Sequence, residues 1–333
     1  MYAGFVTEHN SWPWMRQTED GYGRVGQTQF ELSSKALQIQ WMVVMDEPPA
    51  RCVTDIPKCR RILFLTELPE VKLYPSSYIS QFGYVISPFL VRGISSSMLV
   101  HENPCYPWHL GVKIADNGCT SKLLRLDDFR QMAVPKKKKK LSVICSNKTI
   151  TVAQRKRIAF VEKLQIRFGD DVDVYGRGRN PISDKSQAIL PYKYHLVLEN
   201  SYLENSWTEK LSDAWLGYAY PIYLGASNIE RCCPPGGLLT LQPDSDQANL
   251  MAIERLLQDD PWERCLPAIR ECRRWVLETT NVFARVDRLI QEAAPYIRAV
   301  PNLDKPVPLR QSSRWQRALL RRATRFGLYN PFA

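Results

Sequence analysis

The sequence predicts an α/β protein built from two domains, and three observations support this prediction. The chain has 333 residues, which is long for one hydrophobic core and sufficient for two. Residues 194–225 follow the order strand, loop, helix and strand, which is the repeating unit of a parallel α/β sheet. Hydrophobic residues make up 44% of the chain and charged residues 24%, as is typical of globular proteins. We place the first domain at residues 1–133 and the second at residues 141–300.

Three apolar segments of the first domain predict buried strands. They lie within residues 37–49, 60–71 and 81–89, and each ends in acidic, proline or other turn-forming residues. With helical or loop segments between them, these strands indicate an α/β domain.

A lysine-rich segment follows the first domain. Residues 134–140 include five consecutive lysines, Lys136 to Lys140, whose like charges do not pack against one another. We interpret the segment as a solvated linker. A contact with nucleic acid or with a membrane surface is the weaker alternative.

The second domain continues the α/β pattern. Its predicted elements are a strand at 141–147, a helix at 151–169, a strand at 172–180, a strand at 194–198, a helix from Trp207 to Gly217, a strand at 220–225, and helices at 246–258 and 260–297. In the first of these helices, Ile158, Phe160, Val161 and Leu164 form one apolar face, which we expect to face the core.

Residues 194–225 also predict where a ligand binds. In parallel sheets, ligands lie beyond the carboxyl ends of the strands, where helix N-termini present free N–H groups. Asn200, Glu209 and Lys210 are placed around that position. The sequence therefore predicts a binding site at this edge of the second sheet.

The charges around this loop favour a phosphate group with a sugar attached. Lys210 adds a positive charge to a helix N-terminus, which itself attracts anions. Glu209 would accept hydrogen bonds from sugar hydroxyls. A structural alternative is favoured on the local pattern alone, because Ser206 to Glu209 match a capping box that would leave Lys210 solvated.

The order of these features resembles a known family. The segments YKYHLVLENS, at 192–201, and WTEKLSDAWLGYAYPIYLG, at 207–225, resemble the donor-binding signature of glycosyltransferase family 10, the α1,3-fucosyltransferase family, in its bacterial type. That signature consists of an aromatic-rich strand, E-N-S/T, a short loop, T-E-K, a helix and P-hydrophobic-hydrophobic-x-G. About thirty residues match in order, which is more specific than a single short motif.

The resemblance implies a GT-B-like fold, in which two Rossmann-like domains face each other with a cleft between them. The first domain would bind the acceptor and the second the nucleotide sugar. The implied reaction is an inverting transfer of fucose from GDP-fucose to a hydroxyl of a glycan acceptor, with an α1,3 linkage expected and lipopolysaccharide or another surface glycan as the acceptor. The implied partners are these two substrates and no nucleic acid, and no cofactor or divalent metal is required.

The resemblance also implies which residues bind the donor. Arg157, within Arg-Ile-Ala-Phe, matches the arginine that pairs with the donor diphosphate, a role suited to a planar guanidinium; Arg155 is a competing candidate. The implied donor-binding residues are Arg157, Asn200, Ser206, Glu209 and Lys210. Ser206 departs from the pattern, because several relatives carry a tyrosine at that position.

The catalytic base implied by the resemblance is Glu67. It follows the apolar strand within residues 60–71, where the family places a glutamate that takes the proton from the acceptor hydroxyl. Glu70 is a nearby rival, and the residues around Glu67 differ from those of the family. Without the resemblance, a carboxylate at a strand end indicates a solvated turn.

Metal and disulfide sites are not predicted. The chain has four histidines and nine cysteines, and no cysteine pair has the C-x-x-C spacing of a zinc site. The scattered, odd number of cysteines indicates reduced thiols. Asp171 and Asp173 match a D-x-D metal motif, but we interpret them as structural because the family has a strand at this point.

The excess positive charge is concentrated in the C-terminal tail. The net charge is +11, and residues 301–333 contain seven Lys and Arg residues against one Asp. Residues 310–326 place Trp315, Leu319 and Phe326 among arginines, which predicts a basic amphipathic helix in contact with an anionic membrane. An ordinary surface helix is an equally weighted alternative.

We expect a cytoplasmic location, with the tail as a peripheral contact to the inner face of the membrane. No apolar stretch reaches the roughly 18 residues of a membrane span, and the N-terminal residues lack the order of a signal peptide.

Three other functions remain open at this point. The donor could be a different nucleotide sugar, because no residue by itself selects fucose. A basic nucleic-acid-binding protein would explain the net charge, but would leave Asn200, Glu209 and Lys210 unexplained. A glycan-binding module without catalysis is the third alternative.

Overall fold

The computed structural model describes residues 1–35, 38–91, 95, 98–114, 120–147, 149, 152–297, 300–303 and 305–325. The chain divides into two compact units. Unit 1 comprises Met1–Tyr106 and Asn281–Ala333, and unit 2 comprises Pro107–Thr280.

The first segment of unit 1 contains β1 (Tyr2–Thr7), β2 (Arg24–Val25), β3 (Thr28–Glu31), β4 (Trp41–Met45), β5 (Val53–Thr54), β6 (Arg61–Phe64), α1 (Ser76–Ile79), β7 (Tyr84–Ser87) and β8 (Leu99–His101). Unit 2 contains β9 (Val112–Ile114), β10 (Thr120–Leu123), α2 (Leu126–Gln131), β11 (Lys139–Ile144), α3 (Val152–Phe168), β12 (Val172–Tyr175), α4 (Ser186–Ile189), β13 (Tyr192–Leu198), α5 (Glu209–Leu216), β14 (Tyr220–Leu224), α6 (Ile229–Cys232), β15 (Leu239–Thr240), α7 (Asp246–Asp259) and α8 (Trp262–Glu278). The second segment of unit 1 contains α9 (Val282–Ile297), β16 (Val307–Pro308) and α10 (Arg314–Arg325). Short 3-10 helices lie at Trp14–Gln17, Lys58–Arg60 and Gly169–Asp171.

Unit 1 is built on a sheet with the strand order β2-β3-β1-β4-β6-β7-β8. All pairings are parallel except that of β2 with β3. Every residue of β4 and β6 is buried, as expected for central strands of a parallel sheet that is covered on both faces. The predicted strands in this part of the sequence are therefore confirmed.

Unit 2 is built on a parallel sheet with the strand order β12-β11-β13-β14-β15. One hydrophobic core contains side chains of α3 and α7 together with Leu196 and Leu198 of β13. A second core contains side chains of α2 and α5 together with Val197 of β13. Because neighbouring residues of a strand point to opposite faces, these two cores cover the two faces of the sheet.

The observed division of the chain differs from the predicted boundaries at residues 133 and 300. Residues 107–133, which we placed in the first domain, belong to unit 2, where the ring of Trp108 packs edge-on against that of Phe129 with centroids 5.8 Å apart. Helix α9 belongs to unit 1, where Phe283 lies 5.1 Å from Phe5 and 4.9 Å from Phe30 between ring centroids. The apolar face of α9 fills the core of unit 1, and this determines the unit to which the helix belongs.

The lysine run is part of unit 2 and is not a separate linker. Lys139 and Lys140 are the first two residues of β11. Lys137 Nζ donates hydrogen bonds to the carbonyls of Gly217 at 2.7 Å and Leu190 at 3.1 Å. Burial lowers the pKa of Lys137 to about 7. The run therefore joins unit 2 through β11 and through Lys137, which enters a recess lined by carbonyls.

The basic tail forms a helix, as predicted, and α10 is fixed to unit 1 by polar contacts. Arg317 lies 2.8 Å from the buried carboxylate of Glu47, and Arg321 donates a hydrogen bond to the Val71 carbonyl at 2.7 Å. Trp315 and Leu319 are 73% and 47% exposed. Phe326, predicted to share their face, lies outside the described residues. Among the described helices, none combines the length and apolar character that crossing a bilayer demands.

Candidate functional site

The N-terminus of α5 is held in place by a buried glutamate at the end of β13. Thr208 is the N-cap of α5, and its side-chain oxygen accepts a hydrogen bond from the Lys210 backbone N–H. Glu199 accepts hydrogen bonds from the Thr208 N–H at 2.8 Å and from the Thr208 hydroxyl. This arrangement satisfies a backbone donor that a helix N-terminus otherwise leaves free.

The observed cap corrects two details of the sequence prediction. The helix begins at Glu209 and not at Trp207, and its cap is Thr208 in place of the Ser206 capping box. Ser206 is 2% exposed, and its hydroxyl donates to the Leu203 carbonyl at 2.5 Å. The structural alternative based on Ser206 is therefore wrong.

Lys210 points at the same buried glutamate. Its Nζ lies 2.8 Å from the Thr208 hydroxyl oxygen and 3.2 Å from a carboxylate oxygen of Glu199, whose side chain is 1% exposed. Burial acts to lower the pKa of Lys210, but the charges of Glu199 and Glu209 outweigh it and raise the pKa. Lys210 is therefore a fixed, charged group.

Glu209 takes part in a second set of ion pairs. Lys185 Nζ lies 3.3 Å from Glu209 and 2.7 Å from Asp213, which is fully buried. Burial acts to raise the pKa of Glu209, but Lys210 and Lys185 outweigh it and hold the pKa well below its usual range. Glu209 is therefore ionised and can accept hydrogen bonds from hydroxyl groups.

Asp213 connects this cluster to the start of unit 2. Its carboxylate accepts the backbone N–H groups of His109 and Leu110, both at 2.9 Å. His109 Nδ1 lies 3.9 Å from the Glu209 carboxylate. Burial, assisted by the charge of Lys185, lowers the pKa of His109.

Three predicted donor-binding residues line one cavity of about 170 Å³ in unit 2. They are Arg157 from α3 and Glu209 and Lys210 from α5, and Lys185 and His195 also line the cavity. Asn200 and Ser206 are not among its lining residues. Asn200 is exposed in the loop after β13. We call this space the α5 cavity.

Arg157, which lines the α5 cavity, has an unsatisfied buried donor. Its terminal nitrogen donates a long hydrogen bond of 3.4 Å to the Leu198 carbonyl. Its Nε is buried and has no hydrogen-bond partner within the part of the chain that the structure describes. A buried donor without a partner costs about 1–3 kcal/mol.

His195 supplies a neutral acceptor to the same cavity. The Ser142 hydroxyl donates to the Ala188 carbonyl and lies 2.8 Å from His195 Nδ1. Because a hydroxyl carries one proton, Nδ1 must donate to Ser142, which leaves Nε2 as an acceptor. Burial, together with the charges of Lys185 and Lys137, lowers the pKa of His195 to about 3.

The charges of the α5 cavity are unequally compensated. Lys210 is paired with Glu199, and Lys185 with Asp213. Within the described ranges, Arg157 has no carboxylate at ion-pair distance. The cavity therefore combines an uncompensated guanidinium and a helix N-terminus, which favour an anion, with the acceptors Glu209 and His195, which favour hydroxyls.

Glu67, the predicted base, lies in unit 1. It follows β6, its side chain is exposed, and its backbone N–H donates to the Tyr74 hydroxyl at 3.2 Å. It lines a cavity of about 730 Å³ that is also lined by Asp46, Lys72 and Arg317. Lys72 Nζ lies 2.5 Å from the buried carboxylate of Asp46. The neighbouring residue Glu70 is exposed and does not line this cavity.

The two aspartates of the D-x-D motif contact lysine and tyrosine side chains of unit 2. Asp173 in β12 accepts hydrogen bonds from Lys139 at 2.9 Å and from the Tyr192 hydroxyl at 2.8 Å. Asp171 is paired with Lys140 at 3.3 Å. Over the described ranges, the structure contains no group of three or more His, Cys, Asp or Glu side chains arranged to hold a metal ion.

Sequence reasoning missed several residues that line the α5 cavity or contact the side chains that line it. Glu199 directly precedes Asn200, and Asp213 lies one helical turn after Glu209 on the same face, so both carried a local signal. Lys185 and His109 come from other segments, and their proximity depends on the fold, whereas His195 lies within the predicted strand at 194–198.

A comparison with known protein families finds a match within unit 2. Residues 134–262 match the sequence model of glycosyltransferase family 10 (fucosyltransferase), C-terminal part. These residues belong to glycosyltransferase family 10. The family recognised from the sequence is thus confirmed, and the family 10 segment contains Arg157, Glu209 and Lys210.

Individual family 10 relatives are similar over the same limited part of the chain. An α-(1,4)-fucosyltransferase of Arabidopsis thaliana is 35% identical over 86 residues, which are 23% of this chain and 21% of the relative. A human 4-galactosyl-N-acetylglucosaminide 3-α-L-fucosyltransferase is 35% identical over 88 residues, which are 25% of this chain and 24% of the relative. The chain therefore matches about a quarter or less of the length of these relatives.

The fold extends the likeness to most of the chain. A solved structure of an α1,3-fucosyltransferase with GDP-fucose matches 92% of this chain and 93% of its own, with a TM-score of 0.50 and 13% identity. At this identity the match shows the fold alone. The predicted GT-B-like α/β fold is confirmed, with a mainly parallel sheet in each unit.

Proposed function

We propose that this chain is a fucosyltransferase that moves fucose from GDP-fucose to a hydroxyl of a glycan acceptor by a single inverting displacement. The observation that carries the proposal is the unpartnered, buried Nε of Arg157 beside the N-terminus of α5, within the family 10 segment. A nucleoside diphosphate supplies the acceptor oxygens that this group lacks.

The diphosphate is proposed to lie between Arg157 and Lys210. Both side chains line the α5 cavity, and Lys210 is held at the first turn of α5 by Glu199. As the bond to the sugar breaks, negative charge grows on the leaving diphosphate. Two fixed cations and a helix N-terminus stabilise that charge without reorganising, so the proposed reaction uses no divalent metal.

The sugar or ribose hydroxyls are proposed to face the acceptors of the cavity. Glu209 is ionised because Lys210 and Lys185 hold its pKa low, and His195 is neutral, with Nε2 as the acceptor nitrogen of its ring. Asn200 is proposed as a further donor contact from the exposed loop. For Ser206, whose hydroxyl is engaged with Leu203, we propose that it shapes this loop.

The acceptor hydroxyl is proposed to lose its proton to Glu67. An exposed carboxylate after β6, at the edge of a cavity in unit 1, is accessible to a glycan hydroxyl. The base takes the proton while the oxygen attacks the anomeric carbon from the side opposite the diphosphate, which inverts the configuration. The expected linkage is α1,3, on lipopolysaccharide or another surface glycan.

The tail is proposed to bring the protein to the cytoplasmic face of a membrane. Arg317 and Arg321 fix one side of α10 to unit 1, and Trp315 and Leu319 are exposed. Exposed apolar residues among arginines are typical of helices that bind anionic lipid surfaces.

Donor choice and stereochemistry test the proposal directly. The purified chain is incubated with GDP-fucose, GDP-mannose or UDP-galactose and a panel of glycans ending in galactose and N-acetylglucosamine, with EDTA present. We expect a fucosylated product from GDP-fucose alone, with an α anomeric proton signal by NMR. Transfer from another donor in preference to GDP-fucose would reassign the sugar, and a β-linked product would contradict the inverting mechanism.

A further inference from the structure

One peptide group in unit 1 is hydrogen-bonded to a tyrosine at each end. It joins Thr66 to Glu67, the proposed base, just after β6. Its carbonyl oxygen accepts a hydrogen bond from the Tyr106 hydroxyl, and its N–H donates to the Tyr74 hydroxyl at 3.2 Å. Because a peptide group is planar, the two bonds together fix its orientation. We call this group the base peptide.

The orientation of the base peptide matters because Glu67 itself is exposed. An exposed side chain has little packing around it, so its position depends on the backbone that carries it. A general base must lie within hydrogen-bond distance of the hydroxyl whose proton it takes. The two tyrosines therefore act at the place where the direction of the carboxylate is set.

The Tyr74 end of the base peptide is anchored in the interior of unit 1. Tyr74 is 6% exposed, and its hydroxyl donates to the carboxylate of Asp46, which is 4% exposed and directly follows β4. Because the hydroxyl proton goes to Asp46, the hydroxyl oxygen remains as the acceptor for the Glu67 N–H. Both bonds of this hydroxyl are thus accounted for.

The Tyr106 end is held by a strained turn and by a buried neighbour. Cys105, which is 3% exposed, has a φ of 55°, in the left-handed region that residues other than glycine rarely adopt. Its N–H donates to the side chain of Asn103 at 2.9 Å. Trp108, two residues after Tyr106, is fully buried in a core of unit 2. The backbone that carries Tyr106 is therefore fixed on both sides.

We propose that Tyr106 is a positioning residue for Glu67. Its hydroxyl holds the base peptide, with Tyr74 at the opposite end, in the orientation that directs the carboxylate to the acceptor hydroxyl. The proposal rests on the proposed function, in which Glu67 takes the proton. Tyr106 is also the last residue of unit 1 before the chain enters unit 2, so the base is tied to a segment that joins the two units.

The first test is the substitution Tyr106→Phe, which removes the hydroxyl and keeps the ring. We expect kcat to fall about 5- to 10-fold, which is the effect of one neutral hydrogen bond. The Kd for GDP-fucose and the KM for the glycan acceptor should stay within about twofold of wild type, because a displaced base weakens only the transition state. A purely structural role would lower the melting temperature without lowering the kcat of the folded protein.

Tyr218→Phe is the matched control. It removes a hydroxyl that also donates to a backbone carbonyl, that of Met132 at 3.1 Å in unit 2. The chemical change is the same as in Tyr106→Phe, but no peptide group next to the base is affected. Its kcat should stay within about twofold of wild type.

A double-mutant cycle tests whether Tyr106 acts through Glu67. Tyr106→Phe is combined with Glu67→Gln, and the residual rate is measured in single turnovers at high enzyme concentration. Contacting residues that act through one another have non-additive effects. Tyr106→Phe should therefore change the residual rate of Glu67→Gln by less than about twofold, whereas the same 5- to 10-fold loss in both backgrounds would overturn the proposal.

The outcomes separate this inference from the proposed function. If the wild type transfers fucose and Tyr106→Phe keeps the wild-type kcat, the positioning role is wrong and the proposed function stands. If Glu67→Gln keeps full activity, the base lies elsewhere and the positioning role falls with it, while the assignment of the donor stands. If the wild type transfers no sugar from any nucleotide donor, the proposed function fails and this inference fails with it.

Discussion

Lys210 Nζ lies 3.2 Å from the carboxylate of Glu199, a side chain that is 1% exposed. The same carboxylate accepts two hydrogen bonds from Thr208, the N-cap of α5. One buried acid at the end of β13 therefore fixes both the helix N-terminus and the cation beside it. These contacts hold Lys210 in one direction at the first turn of α5.

Glu199→Gln should destabilise the protein. The amide keeps the shape of the side chain but removes the charge that Lys210 faces, and it presents donors to groups that already donate. We expect the free energy of unfolding to fall by about 1–3 kcal/mol, measured by urea denaturation. Glu204→Gln removes an exposed ion pair with Arg231 and should change the free energy of unfolding by less than about 0.5 kcal/mol. Equal effects of the two substitutions would contradict the role of Glu199.

Glu67→Gln should abolish transfer while leaving donor binding intact. A general base contributes about 10²- to 10⁴-fold to the rate, so kcat should fall within that range, and the Kd for GDP-fucose should stay within about twofold of wild type. Glu70→Gln is the matched control, because Glu70 is exposed and close in sequence. Loss of activity in Glu70→Gln with full activity in Glu67→Gln would move the base to Glu70.

The stability of unit 2 should depend on pH through Lys137. Its pKa is about 7 in the folded protein against an ordinary value of 10.5. Between these two values the unfolded chain binds more protons, so the free energy of unfolding rises with pH across this window and the contribution is flat below about pH 7. Urea denaturation at pH 7 and pH 9.5 should show this rise in the wild type and in the exposed control Lys138→Met. The rise should be missing from Lys137→Met, and an unchanged pH dependence there would refute the assignment.

The exposed face of α10 should bind anionic vesicles. Trp315→Ser removes a large side chain that is 73% exposed in the protein. Because this ring would be buried in the lipid surface on binding, its loss should weaken binding about tenfold or more. The measurement is co-sedimentation with vesicles of phosphatidylglycerol and phosphatidylcholine. Tyr296→Ser, at a residue that is 88% exposed on α9, is the control. Binding that is unaffected by Trp315→Ser would favour an ordinary surface helix.

The part of the site that could be predicted from the sequence is the part made by neighbouring residues. The strand, loop and helix around Glu209 and Lys210 were predictable because apolar periodicity and turn residues act locally. The helix start was misplaced by two residues, because Thr208 competes with Ser206 as a cap and only Glu199, which is buried behind it, favours Thr208.

Contacts between residues that lie far apart in the sequence could not be predicted. The apolar face of α9 predicts a helix but not which core it fills, and Phe283 packs against Phe5 from the other end of the chain. Lys185 and His109 reach Glu209 from segments about 24 and 100 residues away along the sequence, and neither belongs to a motif. In the sequence, the lysine run shows only the repulsion between neighbouring like charges. The carbonyls of Leu190 and Gly217, which accept hydrogen bonds from Lys137, are distant along the chain.

The most direct test of the central claim is a titration of GDP-fucose into the wild type, Arg157→Gln and Arg155→Gln, with EDTA present. Arg155 is the nearby arginine whose guanidinium is bound to the Thr149 carbonyl at 2.8 Å, whereas Arg157 has the buried Nε without a partner. We predict micromolar binding by the wild type, an increase in Kd of about 10- to 100-fold in Arg157→Gln, and a Kd within about twofold of wild type in Arg155→Gln. Wild-type affinity in Arg157→Gln, or no binding by any of the three proteins, would contradict the account.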